Sequence, residues 1–484
     1  MDATGDHNEG ENLSNADELL KFPARSFQLD QNQLLEELEH ILGVDLLKQE
    51  FSNYDHIPIF QISTKQINKT TQLMLNLGYQ LEGIFGADGN ANIELFYMYS
   101  QGEFRQNSEI IIYVSIDKKI EHSSIQSLIP PSKYYEMNIF HRLGLNFIPQ
   151  NHVSDISQSI MHVPLEFESQ KIKHAPYLRG IFDQIHQKYH YHLISRNPKS
   201  GLIRSVSLQT GWKYKKIQPK LENASKIIDF LSILQEVSPF SNVHLTLGFL
   251  LNLEKIKGID IVNKVSHIRT LLAELERIRS HLIWFANLSA LLNLNIFAHR
   301  FKNVIGKIEK LNEKYFGHPY LFNTISLGSV KDLPTDEAQN YWKQITEISQ
   351  KIHSLLHKFT NLNTVYVYLR KIGKISDSNA LLWGLTGPSL RASSVLIDTR
   401  KSNPYLSYLQ GSVAQSWEIV GSSQGDSFAR CMVRRYEIEQ SLKIILGLLK
   451  GLSNYMLQVP PTQSLEGLFP PNQTVISSIE APQG

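Results

Sequence analysis

Apolar residues recur along this chain with two different periods, and the period changes near residue 150. Four runs with alternating or β-branched residues predict strands at 57–62, 79–85, 93–98 and 110–116. Between the first two, helical spacing predicts a helix at about 65–77 that ends at Gly78. These elements predict a small α+β domain over residues 29–152.

From residue 153 to 484 the spacing predicts a mainly α-helical bundle with small β elements. Residues 153–207 predict a loop and a strand pair, and a long helix follows at about 261–293. A second helix carries Ile345, Ile348, Ile352, Leu355, Leu356 and Phe359 at three- and four-residue spacing. A third begins near Asp426 and runs through Leu452. Such stripes favour core packing over a cofactor site.

Two further segments complete this pattern. The uncharged stretch from Leu282 to Ala298 is short for a membrane span and predicts a buried helix. Residues 467–484 contain no Lys or Arg and predict a loop with a short strand.

The distribution of charged residues argues against several classes of function. Lys plus Arg number 48 and Asp plus Glu number 46, and the net charge of +2 gives no reason to expect a nucleic-acid partner. Residues 1–28 are acidic and polar, which predicts a disordered tail. The first 20 residues contain no Lys or Arg, so they do not resemble a signal peptide.

The single cysteine, Cys431, limits the redox chemistry of the chain. It indicates a reducing compartment and no disulfide framework. An iron–sulfur cluster normally needs four thiolates, so we expect this chain to bind no cluster and no metal by itself.

Two blocks of the second half combine charged residues with turn residues. The first spans 381–408 and reads LLWGLTGPSLRASSVLIDTRKSNPYLSY. It contains the charged residues Arg391, Asp398, Arg400 and Lys401. The second opens at Gly425 and reads GDSFARCMVRRYEIEQSLKII. Together they resemble the large subunit shared by NADH:quinone oxidoreductase (complex I, its quinone-site subunit) and the membrane-bound nickel–iron hydrogenases. The resemblance implies a nickel–iron hydrogenase large-subunit-like fold.

The second block implies a set of charges at one helix end. Arg430 and Arg434 lie one helical turn apart, and Asp426 lies near the N-terminus, where the helix dipole favours a carboxylate. Buried arginines require carboxylate partners, and Asp398 and Glu437 are the candidates. We therefore expect Arg391, Arg430 and Arg434 to be at least partly buried and paired to carboxylates.

In the family these groups line the seam between the quinone cavity and a cluster-bearing subunit. The alternative is a salt-bridge network between helices that takes no part in electron transfer.

An earlier helix carries a related charge pattern. Residues 268–281 resemble the family's I-R-x-x-x-x-E-x-x-R-x-x-x-H helix, with Arg269, Glu274, Arg277 and His281 at those positions. Three of them, Glu274, Arg277 and His281, can share one helix face. The set is either a solvated charged face or a buried network that supports the active-site side of the bundle.

Residues 134–145 resemble the docking signature of the small complex I subunit, the C-type subunit. Glu136 and Gly144 are kept, whereas Met137, Asn138 and His141 replace the family's Arg, Glu and Asp. The resemblance implies that a small-subunit-like domain over 29–152 is fused to the large-subunit-like domain over 153–484.

The chain departs from both relatives at the active-site positions. Alignment on residues 253–255 places Ser238, Pro239, Phe240 and Ser241 where hydrogenases have C-G-I-C and complex I has D-Y-V-S. Hydroxyl groups are poor nickel ligands, so a nickel–iron centre is disfavoured. Pro239 replaces the tyrosine that binds the quinone and offers neither a hydroxyl nor a backbone N–H.

The other quinone-cavity positions also differ. In an earlier loop, Gln209 and Tyr214 stand where complex I has histidines, and Lys215 stands where it has an arginine near the terminal cluster. Residue His190 has the spacing of the quinone-binding histidine, although a surface hairpin is the other interpretation of that segment. Leu291 falls at the position of its aspartate partner. We expect the loops at 209–215 and 238–241 to lie near one another at one cavity.

The C-terminal residues Val475 to Gly484 resemble the family's strand ending E-A-P-R/K-G. The resemblance as a whole implies a peripheral-arm subunit on the cytoplasmic side of the inner membrane, in a complex I-like or formate-hydrogenlyase-like complex. Its partners would be a small iron–sulfur subunit, antiporter-like membrane-arm subunits and other peripheral-arm subunits. The chain itself would bind no cofactor apart from a possible quinone. The alternative is a non-catalytic structural or degenerate paralogue of such a subunit.

Overall fold

The computed structural model describes residues 57–89, 92–100, 109–118, 120–148, 191–196, 203–209, 217–224, 226–238, 240–451 and 475–484. They belong to two compact units. The smaller comprises residues up to Asn151 together with Ser376–Leu385, and the larger comprises His152–Ile375 and Thr386–Gly484. The fold is mixed α and β, and most of the described residues are helical.

The smaller unit is built on a four-stranded sheet with the order β1–β4–β3–β2. Its strands are β1 (Ile59–Gln61), β2 (Gln80–Asp88), β3 (Asn92–Ser100) and β4 (Glu109–Asp117). β1 runs parallel to β4 and the other pairs are antiparallel. Helix α1 (Ile67–Asn76) joins β1 to β2. All four predicted strands and the predicted helix are therefore confirmed, with ends shifted by a few residues.

A buried core lies on one face of this sheet. Alternate residues of β3 point inward, so Ile93, Leu95, Tyr97 and Tyr99 are buried. Helix α2 (Ser132–Leu143) packs on β2, and a Cβ at Gly86 would lie 2.7 Å from the Leu143 side chain. A glycine is therefore needed where this helix crosses the strand.

Glu136 of α2 fastens the start of that helix to the preceding loop. Its carboxylate accepts hydrogen bonds from Ser124 Oγ at 2.7 Å, from the Ile125 amide at 3.0 Å and from Ser132 Oγ at 3.2 Å. The loop follows β5 (His122–Ser123), which pairs in parallel with β6 (Phe147–Ile148). Burial nevertheless raises the pKa of Glu136. Within the described residues, this kept residue of the signature has a structural role.

The larger unit begins, in the described residues, with the antiparallel pair β7 (Tyr191–Arg196) and β8 (Ile203–Gln209). Four helices follow: α3 (Ile217–Glu222), α4 (Ile227–Val237), α5 (Asn242–Lys257) and α6 (Asn263–Leu291). The next are α7 (Asn295–Phe316), the short pair β9 (Ile325–Ser326) and β10 (Ser329–Val330), and α8 (Thr335–Thr360). The predicted long helix and the predicted Ile345–Phe359 stripe correspond to α6 and α8.

Six further helices complete the described chain: α9 (Asn363–Leu369), α10 (Asp377–Leu382), α11 (Gly387–Arg391), α12 (Thr399–Ser402), α13 (Gly411–Ala414) and α14 (Ser427–Gly451). A 3₁₀ turn spans Leu406–Leu409. The prediction of a helix beginning near Asp426 is confirmed.

Helix α6 is the centre of the larger unit. It is 29 residues long and is buried on almost every side, because α5, α7 and α14 pack around it. Phe285 of α6 stacks on Phe301 of α7 at 5.5 Å and meets Phe359 of α8 edge-on at 5.8 Å. The polar side chains of α6 between Lys264 and Ser289 are thus placed in the interior.

Two sequence predictions about this unit are wrong. The Leu282–Ala298 stretch is not one helix, because α6 ends at Leu291 and α7 begins at Asn295. Asn293 turns the chain there with a left-handed φ of 57°, a conformation that asparagine tolerates. The expected C-terminal strand is also absent from the described residues 475–484, which are held by side chains instead.

None of the helices in the described part of the chain is both long enough and apolar enough to cross a membrane.

Candidate functional site

A buried network of ion pairs lies between α6, α14 and the loop that carries α11 and α12. Its arginines and carboxylates are the motif residues, and they are buried in the described structure. The members are Glu274, Arg277, His281, Arg391, Asp398, Arg400, Glu437 and Glu480. The interpretation of the α6 charges as a solvated face is therefore wrong, because these side chains face the interior.

Glu274 is the centre of the network on α6. Its Oε1 accepts hydrogen bonds from Arg400 at 3.0 Å and from the Tyr408 hydroxyl, and Arg277 Nε lies 3.5 Å from its Oε2. Burial alone would raise the pKa of Glu274, but the Arg400 and Arg277 guanidiniums outweigh it and lower that pKa to about 2. Glu274 is thus a permanently ionised carboxylate.

Arg391, at the end of α11, connects three carboxylates. Its guanidinium donates to Glu437 at 2.7 and 2.9 Å and to Glu480 at 2.8 Å. Asp398 lies 3.4 Å away. Burial opposes the charge, but these three acids outweigh it and raise the pKa of Arg391. Arg391 therefore stays charged.

Asp398 and Arg400 form a local pair at the start of α12. Arg400 donates to both carboxylate oxygens of Asp398, at 3.0 and 2.7 Å, while the Asp398 side chain also caps the helix by accepting from the Arg400 amide. The guanidinium lies 4.4 Å above the Trp417 ring. Burial would raise the pKa of Asp398, but the positive charges of Arg400 and Arg391 outweigh this effect and lower that pKa to about 2.

Lys401, the next residue, is half-buried and donates to the Ala414 carbonyl. Its ammonium lies 4.5 Å from the Trp417 ring, and burial lowers its pKa. It is attached to the edge of the network through that ring.

His281 joins α6 to α14. Its Nε2 lies 2.8 Å from Glu437 Oε2, and burial lowers the pKa of His281 to about 4 in spite of that acid. The imidazole is therefore neutral at pH 7. The arginines lower the pKa of Glu437 well below its usual value, so it stays ionised. In the sequence interpretation His281 shares a face with Glu274; in the structure its partner is Glu437 on another helix.

The C-terminal segment 475–484 forms the fourth side of the network. Glu480 accepts from Arg391 and, at 3.1 Å, from the Thr399 amide. Arg277 donates to the backbone carbonyls of Glu480 and Ala481. Sequence reasoning missed Glu480, although its place in the E-A-P-Q-G motif marked it out.

Arg269 belongs to a separate ion pair near the start of α6. It binds Glu254 of α5 through two parallel hydrogen bonds, at 2.8 and 2.6 Å. It also donates to the carbonyls of Ser326 and Ser329 on β9 and β10. Arg269 therefore fixes this hairpin to α5 and α6.

Glu276 forms a third buried group, which the sequence did not reveal. Its carboxylate accepts the amides of Val243 and His244 at 2.9 and 3.1 Å, so it caps α5 from a neighbouring helix. It also lies 2.6 Å from His244 Nδ1, and burial lowers the pKa of His244. The turn at Ser241 is thereby held against α6.

Two arginines expected to pair with carboxylates do not do so in the described residues. Arg434 is buried, with 5% of its surface exposed, and it contacts Gln483 Oε1 at 3.2 Å and the Trp284 ring at 4.8 Å. Burial lowers its pKa to about 10. Arg430 is half-buried and donates to the carbonyls of Gly373 and Gly425. The prediction of acid partners for both is wrong, because Arg391 and Arg400 hold Asp398 and Glu437.

Asp426 has the position expected from the helix dipole. Its Oδ1 accepts the Ala429 amide of α14 at 2.8 Å, and its Oδ2 accepts the Lys371 amide at 2.7 Å. It therefore caps α14 and holds the loop after α9 at the same time.

The quinone-cavity candidates are described only in part. Gln209 is the last residue of β8, Ser238 follows α4 and Ser241 precedes α5. Residues His190, Tyr214, Lys215 and Pro239 lie outside the described residues, so the expected meeting of the two loops stays a prediction. Beside this turn, Arg279 of α6 lies 5.9 Å from the Phe240 ring and 4.5 Å from the Tyr320 ring.

Leu291 is the last residue of α6 and is 39% exposed. It follows Arg279 by twelve residues, which places it about 18 Å along the helix axis from the Ser238–Ser241 turn. Among the described candidates, Leu291 therefore lies apart from Ser238 and Ser241.

Thiol and metal chemistry find no support in the described residues. Cys431 is buried, and burial raises its pKa to about 12, so it is an unreactive thiol. No group of three or more His, Cys, Asp or Glu side chains that could hold a metal occurs among the residues that the structure describes. The described site therefore offers fixed ion pairs and a buried cation, Arg434, that has no carboxylate within 4 Å among the described residues.

Comparison with known proteins agrees with the motifs. Residues 299–484 match the family described as respiratory-chain NADH dehydrogenase, 49 Kd subunit. The D-type subunit of NADH-quinone oxidoreductase from Geobacter sulfurreducens is 29% identical over 316 residues, which cover 58% of this chain and 77% of the relative. The corresponding protein of Syntrophobacter fumaroxidans is 31% identical over 245 residues, which cover 49% of this chain and 62% of the relative. That of Acidiphilium cryptum is 27% identical over 321 residues, which cover 59% of this chain and 77% of the relative.

Proposed function

We propose that this chain is a peripheral-arm subunit of a membrane-bound NADH:quinone oxidoreductase-like respiratory complex. It would form part of a metal-free quinone-type cavity beside a partner iron–sulfur subunit. The observation that carries the proposal is the buried network, because the residues of the matched motifs become one continuous set of ion pairs. A complex of the formate-hydrogenlyase type would use the same assembly.

The network suits a subunit that borders a redox centre without holding it. The lowered pKa values of Glu274, Asp398 and Glu437 keep these acids ionised, and ion pairs and hydrogen bonds fix their positions, so their field on a neighbouring cluster or quinone would be constant. Arg434 adds a buried positive charge that no carboxylate neutralises within 4 Å among the described residues. Such a charge favours a group that becomes negative when it is reduced.

Fusion of two subunits in one chain belongs to the same proposal. The smaller unit would act as the small C-type subunit, and the larger as the quinone-site subunit. The other partners would be antiporter-like membrane-arm subunits and further peripheral-arm subunits, with the chain on the cytoplasmic side of the inner membrane.

The residues available for a quinone headgroup fit it poorly. Pro239 brings no hydroxyl to a quinone carbonyl, and Leu291 brings no carboxylate partner to His190, which is the remaining candidate. One neutral hydrogen bond contributes about 1 kcal/mol, or roughly a fivefold change in affinity. The quinone would therefore bind weakly, and its proton-coupled reduction would be slow or lost.

The test is quinone reduction by the assembled complex. We expect turnover well below that of ordinary complex I, and we expect Pro239→Tyr to raise it. Turnover at the ordinary level, abolished by His190→Leu, would show that the pocket works as it stands.

The second candidate function is a non-catalytic structural subunit. It is favoured by the same network, since ion pairs between helices stabilise an assembly without any redox role. Normal assembly without any quinone reduction, unchanged by Pro239→Tyr, would favour it.

A further inference from the structure

Asp426 and Arg430 are motif residues that the buried network does not use. Both point instead to the loop after α9. Asp426 accepts the Lys371 amide at 2.7 Å, and Arg430 donates to the Gly373 carbonyl at 2.9 Å. Two backbone hydrogen bonds join the same two segments. The Ser427 amide donates to the Ile372 carbonyl at 2.9 Å, and the Ile375 amide donates to the Gly425 carbonyl at 3.0 Å.

These bonds hold an unusual backbone shape. Lys371 has a left-handed φ of 61°, which a lysine adopts at a cost on the order of 1 kcal/mol. Gly373 has a φ of 60°, and a Cβ there would lie 3.0 Å from the Arg430 guanidinium. The loop is therefore fixed by the start of α14 rather than by its own side chains.

The side chains of this fixed stretch face outward and are apolar. Val367 and Tyr368 of α9 are 61% and 62% exposed, and Ile372 of the loop is 57% exposed. Isolated exposed apolar residues need no explanation, but three within six positions on a rigid backbone form a patch. Tyrosine is also a residue type that dominates protein interfaces.

The charged residues between positions 361 and 376 have one sign. Arg370, Lys371 and Lys374 are exposed, and residues 361–376 contain no Asp or Glu. Among the described residues no carboxylate lies within ion-pair distance of these three cations, while the Arg370 guanidinium lies 5.0 Å from the Tyr366 ring. The patch has an apolar centre and a basic rim.

We infer that residues 366–374, the α9 platform, form a docking surface for another protein subunit. That subunit would present an apolar surface flanked by carboxylates. Charge complementarity sets the sign of the partner's rim, and an apolar centre with a polar rim is the usual arrangement of protein interfaces. A rigid backbone favours a shaped protein partner over a fluid lipid surface, because the ordering cost of binding is already met.

This inference rests on the proposed place of the chain in a multisubunit complex, but it does not need a working quinone pocket. A photo-crosslinking residue replaces Tyr368 in the full chain, and the complex is purified through a tag on this chain. We expect the crosslink to join residue 368 to an acidic segment of a different subunit. A crosslink to lipid, a crosslink to this same chain, or none would overturn the inference.

Charge reversal provides the second readout. Arg370→Glu together with Lys374→Glu should lower recovery of the crosslinked subunit roughly tenfold, a change equivalent to about 1.4 kcal/mol. The matched control is Lys302→Glu with Lys310→Glu, two exposed lysines of α7. An equal loss of the crosslinked subunit in both double variants would mean that the overall charge of the chain, and not this surface, controls assembly. The melting temperature of each purified variant should equal that of the parent chain, which excludes misfolding.

The failures of the two proposals are distinguishable. A complex that assembles and crosslinks but reduces no quinone leaves the platform intact and removes only the catalytic cavity. A quinone-reducing complex without the crosslink overturns only the platform. Purification of the chain without any other subunit would overturn both.

Discussion

Arg391 and Arg434 are both buried arginines, yet their surroundings are opposite. Arg391 contacts three carboxylates, whereas Arg434 contacts an amide oxygen, a carbonyl and an indole ring. Removing a buried cation is costly when it leaves acids unpaired. When no carboxylate loses its partner, removing the arginine also removes the free-energy cost of burying its charge.

We therefore predict that Arg391→Met lowers the free energy of unfolding by about 3–5 kcal/mol, because Glu437, Glu480 and Asp398 lose their common partner. Arg434→Met should be neutral within about 1 kcal/mol, or stabilising, since methionine fills the site without a charge. Urea unfolding at pH 7, followed by tryptophan fluorescence, measures both variants. Equal destabilisation by the two substitutions would contradict this account.

The sequence predicted the residue types of this site better than their pairing. Burial of Arg391 and Arg434 is confirmed, and Asp398 and Glu437 contact Arg391 as expected, but neither acid pairs with Arg430 or Arg434. The partner of Arg391 that was missed, Glu480, lies 89 positions away. Helical spacing constrains neighbours within a turn or two, so partners on other elements cannot be read from it.

At the scale of elements, the periodic signals were reliable and the segment ends were not. The strands β2 to β4 and the helices α6, α8 and α14 follow from the spacing of their apolar residues. The break at Asn293 has no periodic signal, because the apolar residues continue through it. The segment 475–484 has a strand-like composition, but its backbone carbonyls are taken by Arg277 rather than by a neighbouring strand.

The contact of this segment with α11 depends on two glycines. Gly387 has a φ of 60°, and a Cβ there would lie 2.6 Å from the Gly484 backbone. We predict that Gly387→Ala displaces residues 480–484 and weakens the network around Glu480, because both the φ and the space exclude a side chain. Hydrogen exchange of the C-terminal peptide should rise strongly in this variant.

The control for this variant is Gly306→Ala. Gly306 lies inside α7, where a Cβ meets nothing within 4 Å. This substitution should stabilise the helix by about 0.5–1 kcal/mol. Unchanged exchange at residues 480–484 in Gly387→Ala would show that the close approach is not required.

On the scale of the whole molecule, the two units differ in how their buried groups respond to acid. In the larger unit the pKa of Glu274, Asp398 and Glu437 is lowered, and burial lowers that of His281 to about 4. In the smaller unit burial raises the pKa of Glu136, while it lowers that of His122 to about 4.

The sign of each contribution follows from linkage. Where the folded pKa is lowered, the unfolded chain takes up protons first as the pH falls. His281 therefore destabilises the larger unit from about pH 6.5 down to about 4, and Glu274 and Asp398 continue the loss from about 4.5 and 3.8 down to about 2. In the smaller unit Glu136 acts in the opposite direction and offsets His122.

We thus predict that the larger unit unfolds at a higher pH than the smaller one. After incubation at each pH from 7 to 3, pulse labelling of amides at a fixed pH should show α6 and α14 exchanging before β3 and β4. His281→Gln should remove a contribution on the order of 3 kcal/mol between pH 6.5 and 4, and so move the transition of the larger unit to lower pH. The matched substitution of exposed His299 should leave that transition in place. Earlier exchange in β3 and β4 would contradict the prediction, since the network would then not govern acid stability.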